Sequence, residues 1–485
     1  MPQFPLDTFR RRLVAAVLSG ALISIAESLH PWWPAAWLAP VPLLAAAFVA
    51  PRYEASWLAI VAGLIGCTST GLYYVTVASP IVAILIAAGR ALSLAVLINI
   101  ARMLVARWRH WLSIFAYPTL TAGLDTLIGA FSRHGSAGSL AYSQMNALPI
   151  LQVASLAGTS GIVFVINLFA SAVAVAWYHR GQQKHYRIGY ILAAGIVVLA
   201  VGFGSARLIS APSEPEVKVG LIVVDTAPGA KAPSPEVPPW TYYWSAIAQA
   251  AREGARIVVL PEKIAAFTSE QIAPIRDALA RAAESNKVFL VAGVTVVLTD
   301  HKENRAWMFD PSGAMVADYS KRHLVPGFED AFVAGGNEMV RIIDGNLTGI
   351  AICKDMDFPR LGRDYAEQDV TMMLVPAWDF GGDAWLHSRM AVLRGVEGGY
   401  TIVRAAREGV LTISDRYGRV LDEVASSGTP YSSLVAMAPL ATERETVYGV
   451  LGNTFGWLAL AFGIAISIRA AVTVNLWNWL RAGSR

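Results

Sequence analysis

The chain has 485 residues, of which 55% are apolar and only 15% charged, against roughly 25% charged residues in ordinary soluble domains. That composition excludes a single aqueous core, and the length implies two or three folding units. The net charge of +4 does not imply nucleic acid, because no basic block or stacking motif stands in the polar part, and two cysteines, Cys67 and Cys353, exclude a disulfide framework.

A helix across the hydrocarbon core needs about 20 apolar residues. Spans are expected at 13–29, 32–50, 56–78, 80–104, 111–130, 159–178, 188–209 and 450–473, about eight in all. The run 32–50 is proline-rich and expected to bend, and the mixed stretch 135–158 reads as an interfacial or re-entrant piece. Arg10, Arg11 and Arg12 ahead of the first run resemble a signal peptide. No small-residue cleavage site with a polar start follows, so an uncleaved anchor is expected. With eight spans, the short loops bearing Arg52, Arg102, Arg107, Arg109, Arg180, Lys184, Arg187 and Arg481 fall on the side of Arg10–12. The opposite side holds Arg133, and Arg207 at a span end. Basic loops stay cytoplasmic, which puts both termini inside and the polar stretch outside. Trp32, Trp33, Trp108 and Trp177 lie near span ends, where indoles favour the interface. Arg90 and Asp125, within apolar runs, are expected to face the bundle interior and to satisfy each other or a neighbour. The organisation is thus an N-terminal transmembrane domain (1–209), an extracytoplasmic domain (210–445), and a final span with a short cytoplasmic tail (446–485).

In the polar stretch, a strand at 217–225 interrupts many prolines, and 226–239 reads as a long exposed loop. Strand patterns follow at 257–260, 288–297, 314–320, 347–353 and 370–376. Helical spacing appears at 269–285 and 384–398, strand pairs within 401–415, and a last strand near 432–437. Alternating strands and helices imply a layered α/β domain. The aromatic run Trp240, Tyr242, Tyr243 and Trp244 either dips into the bilayer or belongs to the core.

Three chemically able residues stand at strand ends: Glu262 after 257–261, Lys321 after 314–320, and Cys353 closing 347–352. Residues at the carboxyl ends of strands often converge on a site. Taken singly, a strand-end Glu or Lys is ordinarily solvated, and a buried Cys ordinarily inert.

Together they carry more. The runs VVLPEK (258–263), YSKRHLVPGFE (319–329) and AICKDMDFPR (351–360) resemble the three signature segments of the nitrilase superfamily. The resemblance implies an α-β-β-α sandwich with Glu262, Lys321 and Cys353 as the catalytic residues. With seven spans before it and one after, and with LAYSQ (140–144) and LPILQVASLAGTSGIVFVINL (148–168), the chain is similar throughout to the apolipoprotein N-acyltransferase family. That family implies a bacterial inner-membrane enzyme with a phospholipid as acyl donor. The expected acceptor is the free N-terminal amine of a diacylglyceryl-cysteine lipoprotein, and neither a metal nor an organic cofactor is needed. Nothing in the sequence sets the oligomeric state, and a monomer is compatible with it.

A thiol attacks an ester carbonyl only as a thiolate. In the scheme the family implies, Glu262 is general base and then general acid, and Lys321 holds positive charge near the oxyanion. Glu329 corresponds to a second family glutamate that positions Lys321 or the amine; the alternative is a capping or surface acid. The chain departs from the family elsewhere. Lys354 and Asp355 stand where Tyr-Glu is usual, so a cation beside Cys353 either lowers the thiol pKa or points to solvent. Leu260 replaces a Trp. PAWDFGGDAW (376–385) and RAAREG (404–409) bring Arg407 and Glu408 in place of two amides. These departures leave open the same chemistry on another amine, or a membrane-tethered amidase- or nitrilase-type hydrolase using water.

Overall fold

Proline and glycine decide where the apolar runs break. The computed structural model describes residues 6–181, 183–224, 241–427, 431–442 and 446–482. Two compact units result. One is Met1–Gly129 with Gly138–Ile209 and Asn453–Arg485; the other is Ala130–Ala137 with Ser210–Gly452.

The first unit is helical. Five helices are long and apolar enough to cross a membrane: Pro80–Trp108, Trp111–Phe131, Ala154–Tyr178, Gln183–Ile209 and Thr454–Thr473. Arg52–Gly66 and Thr68–Val77 meet at a 53° bend and make six if they form one span. Eight were expected. The run 32–50 is broken at Pro40, where helix Trp33–Leu38 gives way to Pro40–Val49, because proline has no N–H to continue the ladder. The first run forms Phe9–Ala26, whose first turn carries the three arginines. The stretch 135–158 contains a short 3-10 turn, Leu140–Gln144, and a one-turn helix, Leu148–Leu151. The next helix starts at Ala154, five residues before the expected 159, and is kinked at Gly158, φ 64°. Arg90 pairs with Glu27, and Asp125 accepts a 2.7 Å hydrogen bond from Thr159. Both charges therefore find neighbours, as expected for ions away from water.

The second unit is built on strands. They run β1 Glu216–Val223, β2 Ile257–Val259, β3 Ala266–Thr268, β4 Phe289–Val297, β5 Lys302–Phe309 and β6 Met315–Ser320. Then come β7 Val340–Ile343, β8 Asn346–Ile350, β9 Met372–Trp378, β10 Thr401–Arg407, β11 Val410–Ser414, β12 Val420–Ala425 and β13 Ser432–Pro439. One sheet has the order β13-β1-β2-β4-β5-β6, with β3 also on β4; the other has β12-β11-β10-β9-β8-β7. The centre of each sheet is parallel, β1-β2-β4 in one and β8-β9-β10 in the other.

Alternation makes the layers, because successive side chains point to opposite faces. Val219, Leu221, Val223, Ile257, Val259 and Val291 face Ile350, Met372, Leu374, Val403 and Leu411 in the inner core between the sheets. On the outer face of the first sheet, Ile222, Val258, Leu290 and Ala292 pack with Tyr243, Ile247, Ile275 and Leu279. These last come from helices Thr241–Arg252 and Ile272–Asn286. Met373 and Val375 do the same on the second sheet against Leu361, Tyr365 and Ala391 of Pro359–Ala366 and Ala384–Gly398. The result is an α-β-β-α sandwich. Full burial of each such Leu, Ile or Val is worth about 1.5–3 kcal/mol.

Tyr243 is fully buried and Trp244 packs on the same core, so these two are core rather than bilayer anchors. Trp240, Asp225 and the expected loop 226–239 lie outside the described residues. Expected strand 347–353 stops at Ile350, and Cys353 instead opens a 3-10 turn, Cys353–Asp357.

Candidate active site

Short parallel strands end where polar residues begin, and those ends meet. Glu262 lies three residues beyond β2, where its N–H donates to the Ala377 carbonyl of β9 at 3.3 Å, tying one sheet to the other. Gly293 of β4 lets this turn sit close. A Cβ there would stand 2.5 Å from the Pro261 carbonyl and 2.6 Å from the Glu262 Cα. Lys321 follows β6 directly, its N–H bonded to the Asn304 carbonyl of β5. Cys353 has φ 44°, a left-handed backbone that non-glycine residues seldom adopt.

The side chains form one buried cluster. Lys321 Nζ donates to Glu262 Oε1 and to Glu329 Oε2, both at 2.9 Å. Asn304 Nδ2 donates to Glu262 Oε1 at 2.5 Å and to Glu329 Oε1 at 2.7 Å. Glu262, Lys321, Glu329 and Asn304 are each 1% exposed. Burial opposes the charge on Lys321, but Glu262, Cys353 and Glu329 hold its ammonium well above the usual lysine range. Burial likewise opposes the Glu329 carboxylate, and Lys321 and Lys263 overcome it, keeping that carboxyl below its usual range. Cys353 Sγ lies 3.4 Å from the Trp378 carbonyl. Burial and the Glu262 charge push its thiol up, against the opposing charge of Lys321. A sulfur so placed keeps its proton until a base takes it.

Glu262, Lys321, Cys353 and Glu329 thus come together. Glu329 is no surface acid: it accepts four donors, counting the Val325 N–H at 2.8 Å and Lys263 at 2.6 Å. Asp355 is fully buried and points into the protein. Its carboxylate accepts from the N–H groups of Ile352, Arg322 and His323 and from Tyr319 Oη, at 2.7–3.1 Å. It clamps the chain after Lys321 to the turn of Cys353. Lys354 does not point to solvent, and the charges that bear most on the Cys353 thiol are those of Glu262, Lys321, Asp379 and Arg404. Its Nζ lies 3.4 Å from Asp357 and 3.3 Å from His134, and the residue is 6% exposed.

Sequence reasoning missed Asn304 and Lys263, and also a second buried ionic group. Arg404 donates to Asp379 at 2.9 and 2.5 Å, and both charges bear on the Cys353 thiol. His387 contacts Asp383 at 3.1 Å and Asp357 at 3.9 Å. Burial pulls the His387 imidazolium down, but those carboxylates, with Asp379, push it up to about 9. Arg407, one of the departures, lies over the Trp378 ring at 4.5 Å.

A Glu, a Lys and a Cys thus lie together between the two stacked sheets, and residues 243–436, which hold all three, match the carbon-nitrogen hydrolase family. An amidase from Nesterenkonia sp. AN1 is similar at 22% identity and TM-score 0.42, over 47% of this chain and 92% of its own. Residues 19–172 match the apolipoprotein N-acyltransferase N-terminal domain. Apolipoprotein N-acyltransferase of Geobacter metallireducens is 25% identical, over 97% of both chains. That of Vibrio parahaemolyticus is 25% identical, over 95% of this chain and 97% of its own. The chain belongs to the apolipoprotein N-acyltransferase family.

Proposed function

We propose that this membrane protein moves a fatty acyl chain from a phospholipid, through a thioester on Cys353, to the N-terminal amine of a diacylglyceryl-cysteine lipoprotein. The observation that carries the reading is the buried ionic cluster of Glu262, Lys321 and Glu329, set at the turn of a strained cysteine, in a chain that also matches the family's membrane domain.

In the first half-reaction Glu262 takes the Sγ proton as sulfur attacks the ester carbonyl. The oxyanion forms beside the Lys321 ammonium, with the backbone N–H of Lys354 as a second donor. Collapse breaks the carbon–oxygen bond, and Glu262 returns the proton to the departing lyso-lipid alcohol. In the second half, the amine attacks the thioester, gives its proton to Glu262, and sulfur leaves and is reprotonated. The scheme is ping-pong.

The bilayer position follows from substrate chemistry. Each buried CH₂ is worth about 0.8 kcal/mol, so a site reached from the membrane avoids drawing acyl chains into water. The charge bias of the short loops supports eight spans in a bacterial inner membrane, with both termini cytoplasmic and the catalytic unit outside.

The test uses full-length protein in detergent, a phospholipid with a labelled acyl chain, and a diacylated lipopeptide with a free amino terminus. Label appearing on Cys353 and then on the peptide amine is expected. Label that stays on Cys353 would refute the acceptor and point to another amine. Release of ammonia from small amides, with no label on Cys353, would refute acyl transfer and favour a membrane-tethered hydrolase.

A further inference from the structure

Lys263 directly follows Glu262 and takes the left-handed conformation, φ 53°, which a side chain of this kind seldom adopts. Its Nζ sits 2.6 Å from Glu329 Oε1, 3.8 Å from Glu262 Oε1 and 4.8 Å from the Phe332 ring centroid. The side chain is 12% exposed, so the charge is held largely away from water. The cluster then holds two carboxylates, Glu262 and Glu329, and two ammonium groups, Lys321 and Lys263. Without Lys263, Lys321 would face both carboxylates by itself, and the site would carry an uncompensated negative charge. Such a charge opposes both an anionic sulfur and an oxyanion.

We propose that Lys263 is a positioning residue for the reaction: it neutralises Glu329, so that the charge of Lys321 is left to the anion forming at Cys353. The proposal deepens the acyl-transfer reading and rests on it for the identity of that anion. Glu329 is faced by Lys321 and Lys263, by the Asn304 amide and the Val325 N–H, and by Glu262 across the shared Asn304. Removing Lys263 takes away one of the two cations on Glu329. That carboxyl then takes up a proton at higher pH, and the active charge pattern is lost sooner on acidification.

The experiment is the rate of Cys353 alkylation by iodoacetamide across pH, located by mass spectrometry on full-length protein in detergent. In this probe reaction an S–CH₂ bond forms, iodide leaves, and the thiol proton passes to Glu262, with no acyl donor needed. Lys263→Met, Lys263→Gln and Lys263→Arg are compared with the wild type. Glutamine keeps a hydrogen bond to Glu329 but removes the charge, and serves if methionine impairs folding. Both neutral variants are expected to react about ten-fold more slowly near neutral pH, with the acid limb raised by about one unit. Lys263→Arg should stay close to the wild type. A neutral variant whose normalised profile superimposes on the wild type overturns the proposal. Failure of the acyl-transfer reading is seen separately: a shifted alkylation profile with no lipid acyl group ever reaching wild-type Cys353 leaves Lys263 its role and removes the donor.

Discussion

Arg404→Met breaks the buried pair with Asp379. Arg404 is 1% exposed and Asp379 2%, and the guanidinium donates twice, at 2.9 and 2.5 Å. Methionine fills similar space but leaves the carboxylate buried without its cation, a situation that costs about 3–5 kcal/mol. In a unit of this size each kcal/mol moves the midpoint by about 2–4 °C, so the apparent Tm should fall by about 6–20 °C. The assay is tryptophan fluorescence of the detergent-solubilised protein, heated at one fixed scan rate because unfolding of such a chain is a rate-governed event. The double variant Arg404→Met with Asp379→Leu should recover most of the loss, since removing both charges removes the desolvation as well. Arg404 also opposes, and Asp379 reinforces, the rise of the Cys353 thiol pKa, so the single variant should alkylate more slowly. A single variant that melts within about 2 °C of the wild type would refute the reasoning, since a shift that small is under about 1 kcal/mol.

Cys353→Ala should abolish both turnover and any acyl-enzyme, while Cys67→Ala leaves both, as read by intact-mass analysis after incubation with the donor. Asp355→Asn keeps one oxygen but turns an NH₂ toward a cage of donors and should cost about 1–3 kcal/mol, with faster amide hydrogen exchange at the N–H groups the NH₂ then faces, Ile352 on one side or Arg322 and His323 on the other. The folded value of His387, about 9, lies above the ordinary histidine value. Its stabilisation, about 3 kcal/mol, is therefore complete below about pH 6.5 and is lost as pH rises through the folded value. Tm measured against pH should fall across that window in the wild type and stay flat in His387→Gln.

The motifs around Glu262, Lys321 and Cys353 could be read from sequence because each is a reactive residue set at the end of a buried apolar strand, where period and polarity change together. Asn304 could not. Its strand opens Lys302-Glu303-Asn304-Arg305, a polar run with no hydrophobic alternation, and pairing with β4 and β6 makes it a strand. Short edge strands such as β7 and β12 were hidden for the same reason, being half exposed. The helical unit was read at the level of apolar runs. Hydropathy sums over Pro40 and over the bend between Gly66 and Thr68, so it does not see where the backbone turns. Lys354 was expected either to act on the thiol or to meet solvent. A burial partner three residues along a 3-10 turn, Asp357, is a tertiary outcome that local spacing does not reveal.

Glu262 and Lys321 descend from one sheet and Cys353 from the other, and the clamps between them, Glu262 N–H to Ala377 and Tyr319 Oη to Asp355, bridge the two. Chemical competence is therefore a matter of timing. A nascent chain possesses every one of these residues long before the sheets have stacked, yet until they do Cys353 stands apart from both Glu262 and Lys321. The enzyme is silent until the fold is finished.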